Sequence, residues 1–500
     1  QWHKNLSIED TELTQESCRL IAKSLCINSE VNTQNDLVAE VNLALQDFQS
    51  QINTISDQNA PALSLAAEPI KFLTEKILDL PQFSNKIIFL LLDEYENYTD
   101  YQQQLINTHI KHSTENFTFK VGVRELGWRV KHTLNPDELL HDPADYVLFN
   151  LEYKLVTESR FSDFAKSVCQ QRIQQVLSNE SIAQSYNIES AFGSLTVEEE
   201  AEILGVEKTD YYKEILGSSS QLSKAIKNLP KLYLFFIAYW ARWHEMTTDE
   251  AIYDYSKNKK TWDTRYENYK YNTLFKIRKG RGMRGVQKHY SGWNTYVKLA
   301  NGNIRYLMEL VYRAFEKHIE DSDHLHGDIS HKNQTLAAQD VGLKNLSQLE
   351  GLKRNGAQLT KLLLGLGRVF QILASSEGNI APEINQFTMD NSESINYDCK
   401  DLIDGAVMNL ALVRSPGNKL NDDTHTRDYN YSIHPIFTAF FVFSYRKKRK
   451  IVLRQKDILG FVNTPKVTIR NVLQRSNVPD RSENEQLPTQ MNLFERFYND

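Results

Sequence analysis

Two acidic residues directly follow an unbroken apolar run, and their chemistry is the most informative in the chain. Residues 87–92 are all apolar, and Asp93 and Glu94 come next. Such a run predicts a strand buried on both faces of a parallel sheet. Ligands collect at the carboxyl ends of such strands, where Asp93 could hold Mg²⁺ and Glu94 could polarise a water molecule as a general base. The alternative is a buried strand that ends in solvated acids.

Two arginines stand where they could bind phosphate. Arg124 follows the apolar segment 117–123, which predicts a second strand, and its guanidinium suits a bidentate contact with phosphate. Gly302 and Asn303 predict a turn and a helix N-cap, which places Arg305 in the first turn of a helix. For both arginines the alternative is a solvated surface residue.

Elements of alternating type must position the acidic pair and Arg124. Helical spacing covers residues 8–80, interrupted by a predicted loop that ends near residue 61. Strand-like segments alternating with helix-like sequence then predict a parallel α/β sheet with crossover helices. These segments are residues 86–92, 117–123 and 146–151.

The rest of the chain is predicted to be mainly helical. Helical sequence extends from about residue 160 to 320 and includes Leu232–Trp243, which we predict to be a buried helix. A second helical block at about 334–376 contains an apolar helical face at 350–373 and precedes a mixed segment at 400–460. The last 25 residues predict a loosely held tail.

Consecutive cations mark the C-terminal part of the chain. They follow helices and a strand-like segment, so we predict that they contact the phosphates of a nucleic acid, with steeply salt-dependent binding. A second basic segment, Lys276–Lys288, could contact nucleic acid or the nucleotide phosphates of a neighbouring subunit. The alternative for both is a solvated surface. The first group consists of Arg446, Lys447, Lys448, Arg449 and Lys450.

Bulk properties exclude several classes of protein. The formal net charge of −6 argues against a nucleic-acid coat protein but leaves room for a local basic patch. No apolar run approaches the roughly 18 residues of a membrane span, so we predict no membrane contact. Four scattered cysteines favour reduced thiols in a cytoplasmic protein. Histidines 289, 324, 326 and 331 match no metal-ligand spacing and are predicted to lie on the surface.

Taken in order, these motifs resemble AAA+ ATPases of the origin-recognition/replication-initiator class, and signalling ATPases of the STAND type are similar. The resemblance covers roughly residues 85–450. It is closest to bacterial relatives whose Walker B strand ends in Asp-Glu-Tyr-Glu, here residues 93–96. It implies an ATP–Mg²⁺ site in which Asp93, Glu94, Arg124 and Arg305 are the matching positions.

The resemblance also implies the fold class, which is α/β. The expected architecture is a parallel-sheet P-loop NTPase core with an all-helical lid and a C-terminal winged-helix domain. We predict a core at 1–155, a lid at 156–325, a winged-helix-like domain at 326–475 and a tail at 476–500.

The implied function is an ATP-dependent switch or loader that hydrolyses ATP with Mg²⁺. Its partners would be DNA or another nucleic acid, together with further copies of itself or an effector protein. Because bacterial relatives often serve in defence against phage, we hold that context as a hypothesis.

One feature of this class is missing from the sequence. It contains no Gly-x-x-x-x-Gly-Lys-Ser/Thr loop to cradle the phosphates. Retention of both acids and both arginines leads us to expect the loop upstream of Gln1. The alternative is a degenerate, nucleotide-independent scaffold that acts through protein or DNA contacts.

Overall fold

The chain forms two compact units, Gln1–Phe149 and Asn150–Asp500, in a computed structural model. Each unit is described by itself below. The structure describes residues 12–53, 68–113, 116–151, 154–155, 160–177, 186–218, 224–277, 285–352, 355–376, 383–390, 396–417, 429–476 and 487–499.

Three helices open the first unit and confirm the helical spacing predicted there. They are α1 (Gln15–Ser24), α2 (Gln34–Asn53) and α3 (Glu68–Leu78). The side chain of Thr14 accepts a hydrogen bond from the Ser17 N–H and so caps α1. The loop predicted near residue 61 lies outside the described residues. A small core joins these helices through Cys18, Ile21, Ala22, Val31 and Leu37.

A parallel pair of strands joined by a helix follows, as the alternating pattern predicts. Leu92 at the end of the first strand lies opposite Val121 at the end of the second. Thr99 and Gln102 form a capping box at the start of the connecting helix, so its first turn is satisfied locally. These elements are β1 (Ile88–Leu92), α4 (Asp100–Lys111) and β2 (Phe117–Val121).

Two predictions for this unit are wrong. Residues 146–150 form no strand, and the side chains of Val147, Leu148 and Phe149 remain more than half exposed. Strand β1 is not buried on both faces either, because Phe89 is 50% and Leu91 73% exposed. Phe89 and Leu91 lie on the same face of β1, and no described element of the unit covers that face. An apolar sequence shows that a strand would be stabilised by a covering layer, but it does not show that such a layer is present.

The second unit begins as a helical assembly, as predicted. Its centre is α9 (Lys231–Trp243), in which Phe235 and Phe236 are fully buried. The Phe236 ring packs against Trp262, Tyr266 and Tyr269 of α11 (Lys259–Ile277), and the Phe235 ring packs against Tyr211 of α8 (Asp210–Leu216). The rings of Tyr233 and Tyr266 stack at 4.1 Å. The predicted buried helix is therefore confirmed. The helices are α5 (Arg160–Val176), α6 (Ile188–Phe192), α7 (Val197–Leu204), α8 (Asp210–Leu216), α9 (Lys231–Trp243), α10 (Thr248–Lys257), α11 (Lys259–Ile277), α12 (Trp293–Ala300) and α13 (Ile304–Ser322).

The remainder of this unit mixes helices with a four-stranded sheet. The order of its strands is β4 (Leu412–Pro416), β5 (Tyr429–Ile433), β3 (Ile384–Met389) and β6 (Arg449–Leu453). Strands β3 and β6 are parallel, and the other two pairings are antiparallel. The elements are α14 (His331–Glu350), α15 (Gly356–Ser375), β3 (Ile384–Met389), α16 (Tyr397–Met408), β4 (Leu412–Pro416), β5 (Tyr429–Ile433), α17 (Thr438–Phe441), β6 (Arg449–Leu453), α18 (Gln455–Asn463), α19 (Pro465–Arg475) and α20 (Glu495–Asn499).

Helix α15 is the packing centre of this region. It is buried on nearly every side, which confirms and extends the apolar face predicted for 350–373. A Cβ on Gly365 would lie 2.6 Å from the Phe461 ring, and one on Gly367 would lie 2.3 Å from the Phe441 ring. Glycine at these two positions therefore lets the aromatic rings contact the helix backbone.

The end of the chain is packed where the structure describes it, which corrects the predicted loose tail. Met491 is fully buried, and the Gln490 side chain donates to the Phe440 carbonyl at 2.8 Å. The Tyr498 hydroxyl donates to the Leu364 carbonyl at 3.3 Å. The polar composition of the segment led to the wrong prediction, because it outweighed these few apolar and aromatic residues.

Among the described helices, none is both long and apolar enough to cross a membrane.

Candidate active site

Asp93 lies at the edge where the parallel strands end. The ladder continues beyond β1, because the Gly122 N–H donates to the Leu92 carbonyl at 2.7 Å and the Tyr95 N–H donates to the Gly122 carbonyl at 3.1 Å. A Cβ on Gly122 would lie 3.0 Å from Asp93 Oδ1, so glycine leaves room for the carboxylate. Asp93 Oδ1 also accepts the Glu94 N–H at 2.9 Å. The aspartate is exposed yet held in place.

Glu94 adopts an unusual backbone conformation beside it. Its φ of 52° lies in the left-handed region, which non-glycine residues rarely adopt and which is often found at functional sites. Its carboxylate is exposed and accepts a hydrogen bond from Asn97 Nδ2 at 3.0 Å. The next residue, Tyr95, is buried and donates its hydroxyl to the Gln103 carbonyl. Burial, and then the charge of Tyr98, raise the pKa of Tyr95.

Arg124 is brought to the same edge but is held by a carboxylate. Its Nε lies 3.0 Å from Glu96 Oε1, and its backbone N–H donates to Glu96 Oε2 at 3.2 Å. The Glu96 side chain is only 7% exposed, whereas that of Arg124 is 52% exposed. A Cβ on Gly127 would lie 2.6 Å from Glu96 Cβ, so a close glycine helps to place the glutamate. One side of the Arg124 guanidinium is therefore paired with Glu96, and the other side is open to solvent.

Arg129 and Gln103 support this edge, and sequence analysis missed both. Arg129 donates to the carbonyls of Glu96 and Tyr98 and pairs with Asp100 at 3.0 Å. The buried Gln103 amide donates to the Tyr95 carbonyl at 3.2 Å and accepts the Arg129 N–H at 3.0 Å. In the sequence, the role of Gln103 is indicated only by its position, as a polar residue on the face of α4 that faces the strands.

Arg305 belongs to the second unit, where the predicted cap is confirmed. The Asn303 side chain accepts the backbone N–H groups of Arg305 at 3.0 Å and Tyr306 at 3.3 Å. Gly302 before it has a φ of 83°, which suits glycine. Arg305 thus begins α13 with an exposed side chain.

Arg446 is the least exposed member of the basic run. Its guanidinium lies 3.4 Å from the centre of the Tyr271 ring, and its Nε is 4.0 Å from Glu383 Oε1. Burial raises the pKa of Glu383, while the charge of Arg446 opposes that rise. This arginine therefore has a structural role in addition to any role in binding.

The four cations after Arg446 are exposed. Lys447 and Lys448 precede strand β6, and Arg449 and Lys450 begin it. Lys450 Nζ donates to the Asn430 side chain at 2.9 Å across the sheet.

The prediction of an exposed second basic segment fails at both ends. Lys276 is buried, and its Nζ donates to the Ser376 carbonyl. Lys288 Nζ lies 2.7 Å from the buried carboxylate of Glu200. Residues 278–284, with the other cations of the segment, lie outside the described residues.

The prediction of four surface histidines is only partly correct. His289 is buried, and its backbone N–H donates to Glu200 Oε1 at 2.7 Å beside the Lys288 ion pair. His324 and His326 are exposed, with ring centres 4.3 Å apart, and His331 is half-buried.

A model of the family described as ORC-CDC6-like matches residues 1–453. The chain belongs to the ORC-CDC6-like family. This confirms the predicted AAA+ class of origin-recognition type and agrees with an ATPase-related, initiator or loader type of protein. The finer likeness to bacterial relatives with Asp-Glu-Tyr-Glu remains a prediction. None of the curated proteins and none of the solved structures compared with the chain matches it.

ORC-CDC6-like proteins usually bind nucleotide with Mg²⁺. The acidic edge, which is the edge of the sheet that carries Asp93 and Glu94, suits the binding of Mg²⁺. Mg²⁺ is commonly held by one or two carboxylates, with water and phosphate oxygens completing the shell. Asp93 and Glu94 supply exposed carboxylates, and Arg124 lies at the same edge. Within the described residues no group of three or more His, Cys, Asp or Glu side chains could hold a metal ion.

Proposed function

We propose that the protein is an ATP-dependent conformational switch or loader that hydrolyses ATP with Mg²⁺ and acts with nucleic acid. The supporting observation is the parallel pairing of β1 and β2, with Leu92 opposite Val121. This pairing sets Asp93 and Glu94 at the same sheet edge as Arg124, where parallel sheets bind ligands. Family membership supports the same class of activity.

Each residue has a distinct part in the proposed reaction. Asp93 would hold the magnesium ion, which when bound neutralises charge on the phosphates. Glu94 accepts a proton from the attacking water as the water oxygen bonds to the γ-phosphorus and the bond to the β-phosphate oxygen breaks. The products are ADP and inorganic phosphate. Arg124 and Arg305 would bind phosphate oxygens, Arg124 after it exchanges its contact with Glu96.

The nucleic-acid part of the proposal depends on the exposed cations of the basic run. Lys447, Lys448, Arg449 and Lys450 would contact backbone phosphates and displace counterions, which makes affinity fall as salt rises. Partner proteins or further copies of the chain would receive the conformational signal. We include phage defence as the biological context, tested by phage plating on cells with and without the active gene.

ATP hydrolysis by the full-length gene product tests the metal assignment. We expect Mg²⁺-dependent release of phosphate that EDTA abolishes and that Asp93→Asn lowers by at least tenfold, because a neutral amide is a poor ligand for a hard cation. Asp47→Asn, at an exposed position of α2, should behave as the wild type. Equal hydrolysis by the two variants would overturn the role of Asp93.

A nucleotide-independent scaffold is the second candidate, and one observation favours it. Arg124 and Glu94 already have partners within the protein. Arg124 pairs with Glu96, and Glu94 accepts a hydrogen bond from Asn97. In a scaffold that binds no nucleotide, these contacts would remain in place. Tight nucleic-acid binding without any nucleotide binding by the full-length protein would support the scaffold over the switch.

A further inference from the structure

Strand β6 lies at one edge of the four-stranded sheet. Among the described residues it pairs with β3 alone, in parallel, with Ile451 opposite Phe387. No described strand therefore continues the sheet beyond β6. An edge strand presents a row of backbone N–H and C=O groups with which a further strand can pair. We call this side of β6 its outer edge.

The backbone hydrogen bonds show which residues of β6 face outwards. The Arg449 N–H donates at 3.0 Å to the carbonyl of Glu383, which precedes β3. The Leu453 carbonyl accepts at 2.8 Å the N–H of the residue that follows β3. Successive residues of a strand direct their backbone groups to opposite sides, so Lys450 and Val452 direct theirs away from β3. Each of these two residues offers an N–H and a C=O to a further strand.

The side chains of β6 form a cationic pair followed by an apolar pair. The first pair is Arg449 and Lys450, and the second is Ile451 and Val452. All but the half-buried Ile451 are exposed, and Val452 is 60% exposed. A strand added at the outer edge places one side chain beside each of them. A strand with an acidic pair next to an apolar pair therefore matches β6.

The charge around β6 decides which strand can approach it. Residues 446–456 contain seven lysines and arginines and no acid, although the formal net charge of the chain is −6. Two copies of this edge would repel each other, and cations on a short edge strand protect it against such pairing. A peptide with acidic side chains would instead be attracted. The charge thus favours an acidic segment of another protein over a second copy of this chain.

We propose that the outer edge of β6 binds an extended acidic peptide by strand addition. Backbone hydrogen bonds to Lys450 and Val452 supply affinity, and the acidic and apolar pairs of the peptide supply specificity. This inference goes beyond the proposed function, because it uses backbone groups that no phosphate contact requires. A nucleic acid can neutralise the same cations, but it has no peptide groups with which to continue the sheet.

Peptide titration of the full-length gene product tests the proposal. The probes are fluorescent peptides of about ten residues with Glu-Glu-Val-Val, or the reverse order, at the centre, and binding is followed by fluorescence anisotropy at about 0.15 M salt. We expect saturable binding of one of the two. The same peptide with methyl groups on its central backbone nitrogens should bind about tenfold more weakly, because it keeps every charge but lacks N–H donors for the outer edge.

Proline substitution tests the same contact from the side of the protein. The N–H of Val452 points away from β3, so Val452→Pro removes a donor to the peptide without removing a bond to β3. We expect peptide binding to weaken about tenfold, whereas Val452→Ala, which keeps the N–H, should bind within about threefold of the wild type. Equal thermal midpoints for the wild type and both variants exclude unfolding as the cause. If Val452→Pro does not fold, the comparison of methylated and unmethylated peptides decides.

Several results would overturn strand addition. They are the absence of peptide binding, equal binding of the methylated and unmethylated peptides, and wild-type binding by folded Val452→Pro. Equal binding of the two peptides would mean that charge alone attracts them. None of these results bears on ATP hydrolysis or nucleic-acid binding, which are measured by phosphate release and with DNA.

Discussion

At the scale of single residues, the acidic edge holds its reactive groups in competing contacts. Glu94 accepts from Asn97, and Arg124 pairs with Glu96, although the acids and the arginine all lie at the exposed end of the sheet. A ligand phosphate would have to replace Glu96 as the partner of Arg124. Glu96, the second glutamate of the Asp-Glu-Tyr-Glu sequence, would thus restrain Arg124.

Substitution of Glu96 tests this competition. Glu96→Gln keeps an oxygen that can accept the Arg124 N–H but removes the negative charge that pairs with the guanidinium. We therefore expect Mg²⁺–ATP to bind the full-length protein several-fold more tightly, measured by titration with a fluorescent nucleotide. Glu16→Gln, at an exposed position of α1 in the same unit, provides the control. Unchanged or weaker binding in Glu96→Gln would contradict competition between phosphate and carboxylate.

His434 makes stability depend on pH. Burial, and then the charge of Lys447, lower the pKa of His434 from 6.5 to about 3, and its Nδ1 accepts the Ile436 N–H at 3.2 Å. A lowered folded-state pKa means that protonation favours the unfolded chain. The stabilising contribution is complete above pH 6.5 and is lost as pH falls towards 3, at about 1.4 kcal/mol per pH unit.

Removal of the imidazole should remove that dependence. Asparagine at 434 keeps a side-chain acceptor for the Ile436 N–H but does not titrate. We expect His434→Asn to show a shallower loss of stability between pH 6.5 and 4 in denaturant titrations. If the variant loses stability as steeply as the wild type over this pH range, another group causes the loss of stability at acidic pH.

At the scale of elements, the basic run divides into a structural and an exposed part. Arg446 stacks on Tyr271 of α11 and lies beside Glu383, whereas the following lysines precede β6 in an exposed position. Five consecutive cations look alike in the sequence. Their roles differ because long-range packing, which the local sequence does not reveal, covers the first of them.

Two single substitutions should separate these roles. Lys448→Ala should weaken binding to any DNA sequence and reduce the slope of log affinity against log salt by about 1, because one phosphate contact is lost. Arg446→Ala should instead lower the free energy of unfolding, since it leaves Glu383 buried without its nearby cation. Binding and denaturant titrations on both variants measure this. An equal loss of stability in Lys448→Ala would contradict the division.

The success of sequence prediction differed between helices and strands for a physical reason. Helix α9 and the Asn303 cap of α13 were predicted because helical spacing and caps are local features. The parallel β1–β2 pair was also predicted, but its burial and the segment 146–150 were not, because cover for a sheet comes from distant parts of a chain. Glu96 and Arg129 escaped notice because their partners are set by the folded loop.

At the scale of the whole molecule, the two units differ in how well their apolar residues are covered. Helices α9 and α15 are almost completely buried in the second unit. In the first unit, Phe89 and Leu91 of β1 are at least half exposed. Regions with few buried apolar contacts open at lower free energy.

Hydrogen exchange of the backbone amides tests this difference. We expect the amides of β1 to exchange faster than those of α15 in the protein at neutral pH, since one face of β1 is uncovered within its unit. The amides of α4, which belongs to the same unit, provide an internal comparison. Equal protection of β1 and α15 would show that the apolar face of β1 is covered in solution.

ATP turnover by Glu94→Gln tests the central claim most directly. The amide cannot accept a proton from water, but it preserves the shape of the side chain and leaves Asp93 and Arg124 in place. In the full-length gene product, we predict that Glu94→Gln binds Mg²⁺–ATP within about threefold of the wild type and hydrolyses it at least a hundredfold more slowly. If the wild type hydrolyses ATP and Glu94→Gln does so at the same rate, Glu94 is not the general base and the proposed active site is wrong.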